Sequence, residues 1–139
     1  MLVLDASVTL AWALIDEQSP YADAVLKYVA ADGARVPSIW ALETLNGLLM
    51  AEKSKRLPAD KSGQFLQHLL RMHQNRRLTV TDLRPAQVFN DVAALAKDQK
   101  LTSYDATYLY LAGVEGLPLA TIDKELVKAA GRIQVPVWA

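Results

Sequence analysis

Cysteine is absent from this chain of 139 residues, which excludes disulfides and thiolate metal sites. Histidine is scarce, with two in the chain. His68 and His73 lie five apart rather than at the i, i+4 spacing of a helical metal pair, so both read as solvated or internally satisfied. No charge sign is in excess: fifteen basic residues balance fifteen acidic ones. That balance neither points to nucleic acid nor excludes it. Acids gathered in one pocket leave the remaining surface more basic than the sum. No apolar run is long enough to cross a bilayer. Asp5 interrupts the N-terminal apolar run and no basic stretch precedes it, unlike a signal peptide. Repeats, low-complexity tracts and linkers are missing as well. The expectation is a soluble cytoplasmic protein whose residues 1–139 form one domain. Hydrophobic residues at 52% argue against disorder.

Short apolar runs alternate with longer helical patterns. "MLVL" (1–4) reads as a strand covered on both faces, as in a parallel sheet. Helices are expected over 7–15 and over 21–31, the second with Pro20 in its first turn. A brief strand at 34–37 leads to a long helix over 38–56 with Ser38 as N-cap. A helix at 59–75, a strand at 78–81 and a helix at 85–99 follow. Then come a helix running to about Ala112, a strand at 118–122 and a short helix at 124–131. Residues 135–138 offer a last strand. The alternation predicts an α/β domain with a mainly parallel sheet.

Four acids stand out from this pattern. Asp5 and Asp123 each end an apolar strand, where open α/β sheets bind ligands. Each could instead cap the helix that follows. Glu43 lies in a helix from Ile39 to Ala51 that is apolar nearly all round, a pattern that predicts burial on most sides. Asn46 shares its face. An ionised Glu there is costly without a cation, and a place at the edge of the buried face is the alternative. Asp105 occupies N3 of its helix if Thr102 is the N-cap, or N2 if Ser103 is. Together the four could meet at the carboxyl edge of one sheet. Clustered carboxylates repel one another unless a cation compensates. Oxygen ligands suit Mg²⁺ or Mn²⁺. Such ions serve phosphate-ester chemistry, so a nuclease is the first candidate.

At these residues the chain resembles a known family. "LVLDASVTLAW", "VPSIWALETLNGLL", "LTSYDATYLYLA" and "LPLATIDKELVKAA" are similar, in order and across nearly the whole length, to segments of PIN domains. The likeness is to VapC-type toxins of bacterial toxin–antitoxin pairs in particular. The resemblance implies a three-layer α/β/α sandwich around a short, mainly parallel sheet. It implies an acidic pocket of Asp5, Glu43, Asp105 and Asp123 that binds Mg²⁺ or Mn²⁺, with Asp5 and Asp105 the surest ligands. Ser7, Asn46 and Thr121 match polar positions that support such a pocket. Endoribonuclease activity, a homodimer and a cognate antitoxin are implied as well. The family also includes nucleases outside toxin systems.

Basic residues gather at Lys53, Lys55, Arg56 and Lys61, and again at Arg71, Arg76 and Arg77. They could contact RNA phosphates, Lys53, Lys55 and Arg56 above all, or simply be solvated helix ends. Trp12, Trp40 and Tyr108 read as core or dimer contacts. A haloacid-dehalogenase-type phosphatase would want an acid where Ser7 stands. A response-regulator receiver would want paired acids after the first strand. A non-catalytic α/β dimer that binds a partner protein also fits the pattern, and metal binding separates it from the nuclease.

Overall fold

The structure is a computed structural model that describes all 139 residues. Strand β1 (Leu2–Leu4) leads into helix α1 (Ala6–Ala13), a 3-10 turn at Ile15–Glu17 and helix α2 (Pro20–Asp32). Strand β2 (Ala34–Pro37), helix α3 (Ile39–Lys53), helix α4 (Ala59–Gln74) and strand β3 (Leu78–Thr81) follow. A π-helical segment at Gln87–Val92 runs into helix α5 (Ala93–Gln99). Helix α6 (Ser103–Glu115), strand β4 (Leu119–Ala120) and helix α7 (Lys124–Arg132) complete the chain. The strands form one sheet in the order β3-β2-β1-β4, with every pair parallel.

Burial of the sheet explains this layering. Leu2, Val3 and Leu4 point alternately to opposite faces, and all three are fully buried. Both faces of β1 are therefore covered by helices, as expected for an uninterrupted apolar run. A parallel sheet also points all its strand ends the same way. Asp5, Ser38, Asp82 and Thr121 follow the four strands, so they line one edge. Met1, Gly33, Arg77 and Pro118 line the other.

Several expected boundaries shift, each for a local reason. α1 stops at Ala13, where Leu14 turns extended and Ile15 projects into solvent. Ser38 makes no capping hydrogen bond and already has helical backbone. α6 extends to Glu115, where Gly116 takes the left-handed conformation (φ 65°) that ends a helix at little cost. β4 shrinks to two residues. Residues 135–138 make a single parallel bridge, Val137 to Leu119, rather than a strand.

α3 departs most from expectation. It buries Trp40, Thr44, Leu48 and Ala51, yet Leu42 (65%), Leu49 (52%) and Met50 (61%) are exposed. The sequence showed its apolar residues all round the helix but not which side would be covered. On the covered side Gly47 meets α1. A Cβ at that position would stand 2.5 Å from Leu10 Cδ1. This close approach sets the spacing between the helix that follows Asp5 and the helix that carries Glu43. Gly47→Val is expected to force α1 and α3 apart and to destabilise the fold by about 1–3 kcal/mol, as overpacking does. Denaturant unfolding measures this, and unchanged stability would show that Leu10 simply turns aside.

Candidate acidic site

Asp5 is the most enclosed of the four acids, at 5% exposure. It stands at the N-cap position of α1 but makes no capping hydrogen bond with its side chain. Its Oδ2 instead accepts hydrogen bonds from two hydroxyls, Ser7 Oγ at 2.6 Å and Thr121 Oγ1 at 2.7 Å. Each hydroxyl in turn accepts a backbone N–H, Ser7 from Ile122 at 3.3 Å and Thr121 from Asp123 at 3.1 Å. This network joins the ends of β1 and β4. Burial pushes the Asp5 carboxyl above its ordinary value; the two hydroxyl bonds pull it down and the charge of Asp123 adds to the rise.

Glu43 projects from α3, half-buried. Its Oε1 accepts a hydrogen bond from the Tyr108 hydroxyl at 2.7 Å. Burial raises its carboxyl, the Tyr108 bond opposes this, and the charges of Asp5 and Asp105 raise it further. Tyr108 is itself fully buried, and its phenol is held protonated by burial and by Glu43. In the sequence this residue reads as a core or dimer contact. The missed signal was a tyrosine in place of phenylalanine: a buried hydroxyl needs a partner.

Asp105 stands at N3 of α6, and the N-cap is Thr102, whose hydroxyl accepts the Asp105 N–H at 3.1 Å. Burial raises the Asp105 carboxyl, followed by the charges of Asp5 and Asp123. Asp123 is an N-cap in the full sense. Its Oδ1 accepts the N–H groups of Glu125 and Leu126 at 2.9 and 3.1 Å. The capping alternative therefore holds for the Asp123 side chain, and its second oxygen remains free of such bonds.

Two features bear on a metal. No Lys, Arg or His pairs with any of the four acids; the chain's ion pairs are Arg56 with Asp16 and Glu17, and Lys128 with Glu125. The clustered negative charge is thus uncompensated from within the chain. Conversely, no three acidic or histidine side chains are grouped as a ready-made metal cage. The donor set nevertheless fits Mg²⁺ or Mn²⁺: it is all oxygen, anionic and short of cations. Mg²⁺ commonly keeps several waters and uses only one or two carboxylates.

The remaining candidates divide by distance. Ser7 and Thr121 bond directly to Asp5. Asn46 is exposed one turn beyond Glu43 and bonds to none of the acids. Lys53, Lys55 and Arg56 lie at the far end of α3, about 15 Å along the helix from Glu43. Arg56 is committed to Asp16, with two hydrogen bonds of 3.1 Å. Arg71, Arg76 and Arg77 precede β3 and so lie toward the opposite edge of the sheet. His73 Nδ1 bonds the Leu78 carbonyl at 2.9 Å. Trp12 donates to the Ala22 carbonyl and Trp40 to Thr9 Oγ1, both at 2.9 Å.

The family profile of the PIN domain matches residues 2–132. The chain belongs to the PIN-domain family. PIN domains are nucleases that generally work with divalent metal ions. Among curated protein sequences none matches this chain. Solved structures share its fold. PAE2754 from Pyrobaculum aerophilum is 24% identical with a TM-score of 0.69, over 92% of this chain and 78% of that one. A toxin–antitoxin complex from Klebsiella pneumoniae is 17% identical with a TM-score of 0.67, covering 99% and 97%. FitAcB from Neisseria gonorrhoeae is 20% identical, also with a TM-score of 0.67, covering 100% and 97%. No helix of this PIN domain is long and apolar enough to cross a membrane.

The raised carboxyls make a stability prediction. Asp5, Glu43 and Asp105 each bind a proton more tightly folded than unfolded. The stability this supplies is complete below the ordinary values of 3.8 and 4.5 and is lost as pH rises through the raised ones. In chelator at pH 7, Asp5→Asn is expected to melt a few degrees above the natural chain, on the order of 1 kcal/mol. The gap should close near pH 3.5. A variant that melts lower at pH 7 would mean that the Asp5 charge is compensated after all.

Proposed function

We propose that this PIN domain is a metal-dependent endoribonuclease, the toxin of a VapB/VapC-type pair, with residues 1–139 as one catalytic domain. The observation that carries the reading is the mutual repulsion among Asp5, Glu43, Asp105 and Asp123, with no basic side chain to relieve it. A phosphodiester, itself an anion, is repelled from such a pocket until a cation is bound. The similarity in fold to the Klebsiella toxin–antitoxin complex supports the toxin role and a cognate antitoxin as partner. The exposed Leu42 and Leu49, seven apart on one stripe of α3, support a homodimer together with the exposed Met50 nearby, since such apolar patches mark association surfaces.

When bound, Mg²⁺ or Mn²⁺ orients a water, lowers its pKa and stabilises charge on the phosphoryl oxygens. The chain's own residues prepare for this. Ser7 and Thr121 hold Asp5 Oδ2 in place. Thr102 fixes the start of α6 and hence Asp105. Asp123 keeps one oxygen in its cap and the other free. The reaction is hydrolysis of an RNA phosphodiester, leaving a 5′-phosphate as the family resemblance implies. RNA phosphates beyond the scissile one would meet Lys53 and Lys55 as exposed cations, with Arg56 tied to its acids.

Asp5→Asn and Asp105→Asn are each expected to keep the fold and to lower cleavage of RNA by at least about 100-fold. Calorimetric titration with Mn²⁺ should show saturable binding in the natural chain and none in Asp5→Asn. Full activity in either variant would overturn the assignment.

A further inference from the structure

Glu43 occupies a position it should leave. It is half-exposed on a helix surface, and the charges of Asp5 and Asp105 both repel it. A glutamate side chain regains rotamer freedom when released into water. No cation pairs with it, and the Tyr108 hydroxyl is its one hydrogen-bond partner. We propose that Tyr108 is a positioning residue for the acidic site: its phenol fixes the Glu43 carboxylate beside Asp5 and Asp105, with the second oxygen free to take a divalent cation. The inference rests on the metal-dependent reading above.

The chemistry of the partner matters. A lysine or arginine would hold Glu43 equally well but would cancel its charge and compete with the incoming ion. A neutral phenol donates one hydrogen bond and leaves the negative charge in place. Tyr108 is also a fixed point. Its ring is fully buried in the main hydrophobic core, so the hydroxyl cannot follow Glu43 outward. Asp105 and Tyr108 are three apart on α6 and share a face. One helix thus presents an acid of the site and the group that steers a second acid borne by α3. A phenylalanine would pack the same ring; the hydroxyl is the addition, and buried without a partner it would cost stability.

The test is Mn²⁺ titration of metal-free protein with Tyr108→Phe, Glu43→Gln and the double variant. Tyr108→Phe is expected to weaken Mn²⁺ binding tenfold to a hundredfold, roughly the effect of losing an outer-shell partner. Adding it to Glu43→Gln should weaken binding no further, since the hydroxyl then has no carboxylate to steer. A hydroxyl that serves stability alone would lower the unfolding temperature and leave the Mn²⁺ affinity unchanged, which would overturn the proposal. So would additive losses in the double variant. If Tyr108→Phe failed to fold, Glu43→Asp keeps the charge but withdraws it from the hydroxyl; it should show the same loss, and natural affinity there would overturn the proposal. Absence of Mn²⁺ binding in the natural chain would fell the metal reading and this inference together. Natural binding with an unaltered Tyr108→Phe would fell the inference alone.

Discussion

Asp5 carries a carboxylate into a nearly closed environment, and the architecture around the carboxyl edge is arranged to tolerate it. Two hydroxyls, from the first turn of α1 and from the end of β4, converge on one of its oxygens. A buried carboxylate without such donors would be far more costly. These bonds do not win outright: burial still dominates, and the carboxyl remains raised. The balance leaves a nearly buried carboxyl anchored at Oδ2 by two hydroxyls. The same bonds tie β1 to the loop before α7, so sheet geometry and acid placement cannot be altered independently.

A shared logic runs through the other acids. None is paired with a cation: a phenol donates to Glu43 and two backbone N–H groups donate to Asp123, while Asp105 is placed by its helix, whose Thr102 cap accepts the Asp105 N–H. Neutral donors set direction and leave charge unspent. The equal totals of acidic and basic residues hide this arrangement. Acids gather at one edge of the sheet, while Arg76 and Arg77 turn at the other.

The parallel sheet and its covering helices were legible because "MLVL" has no polar alternate, and only a doubly covered strand buries such a run. The placing of Asp5 and Asp123 at strand ends followed directly. Ser38 looked like a cap, but helical backbone at that position leaves its hydroxyl no N–H to accept. α3 is apolar all round, and periodicity alone could not show that Leu42, Leu49 and Met50 would face outward. Tyr108 lay in an aromatic helical pattern in which a hydroxyl carries no periodic signal. Its partner is 65 positions earlier in the chain, and only the folded chain brings the two together.

The Asp5–Thr121 hydrogen bond also sets an order of events. Its partners are 116 positions apart, far more than the separation of β1 from β2. Contacts so distant in sequence close late, once the loop between them has been ordered. During synthesis a chain still short of Thr121 holds Asp5 by Ser7 alone, and it has neither Asp123 nor the Val137 bridge that flanks β4. The carboxyl edge is therefore completed only when residues 119–123 are in place. A cell producing this protein meets the assembled acidic edge only after Asp123 has been translated and folded into place.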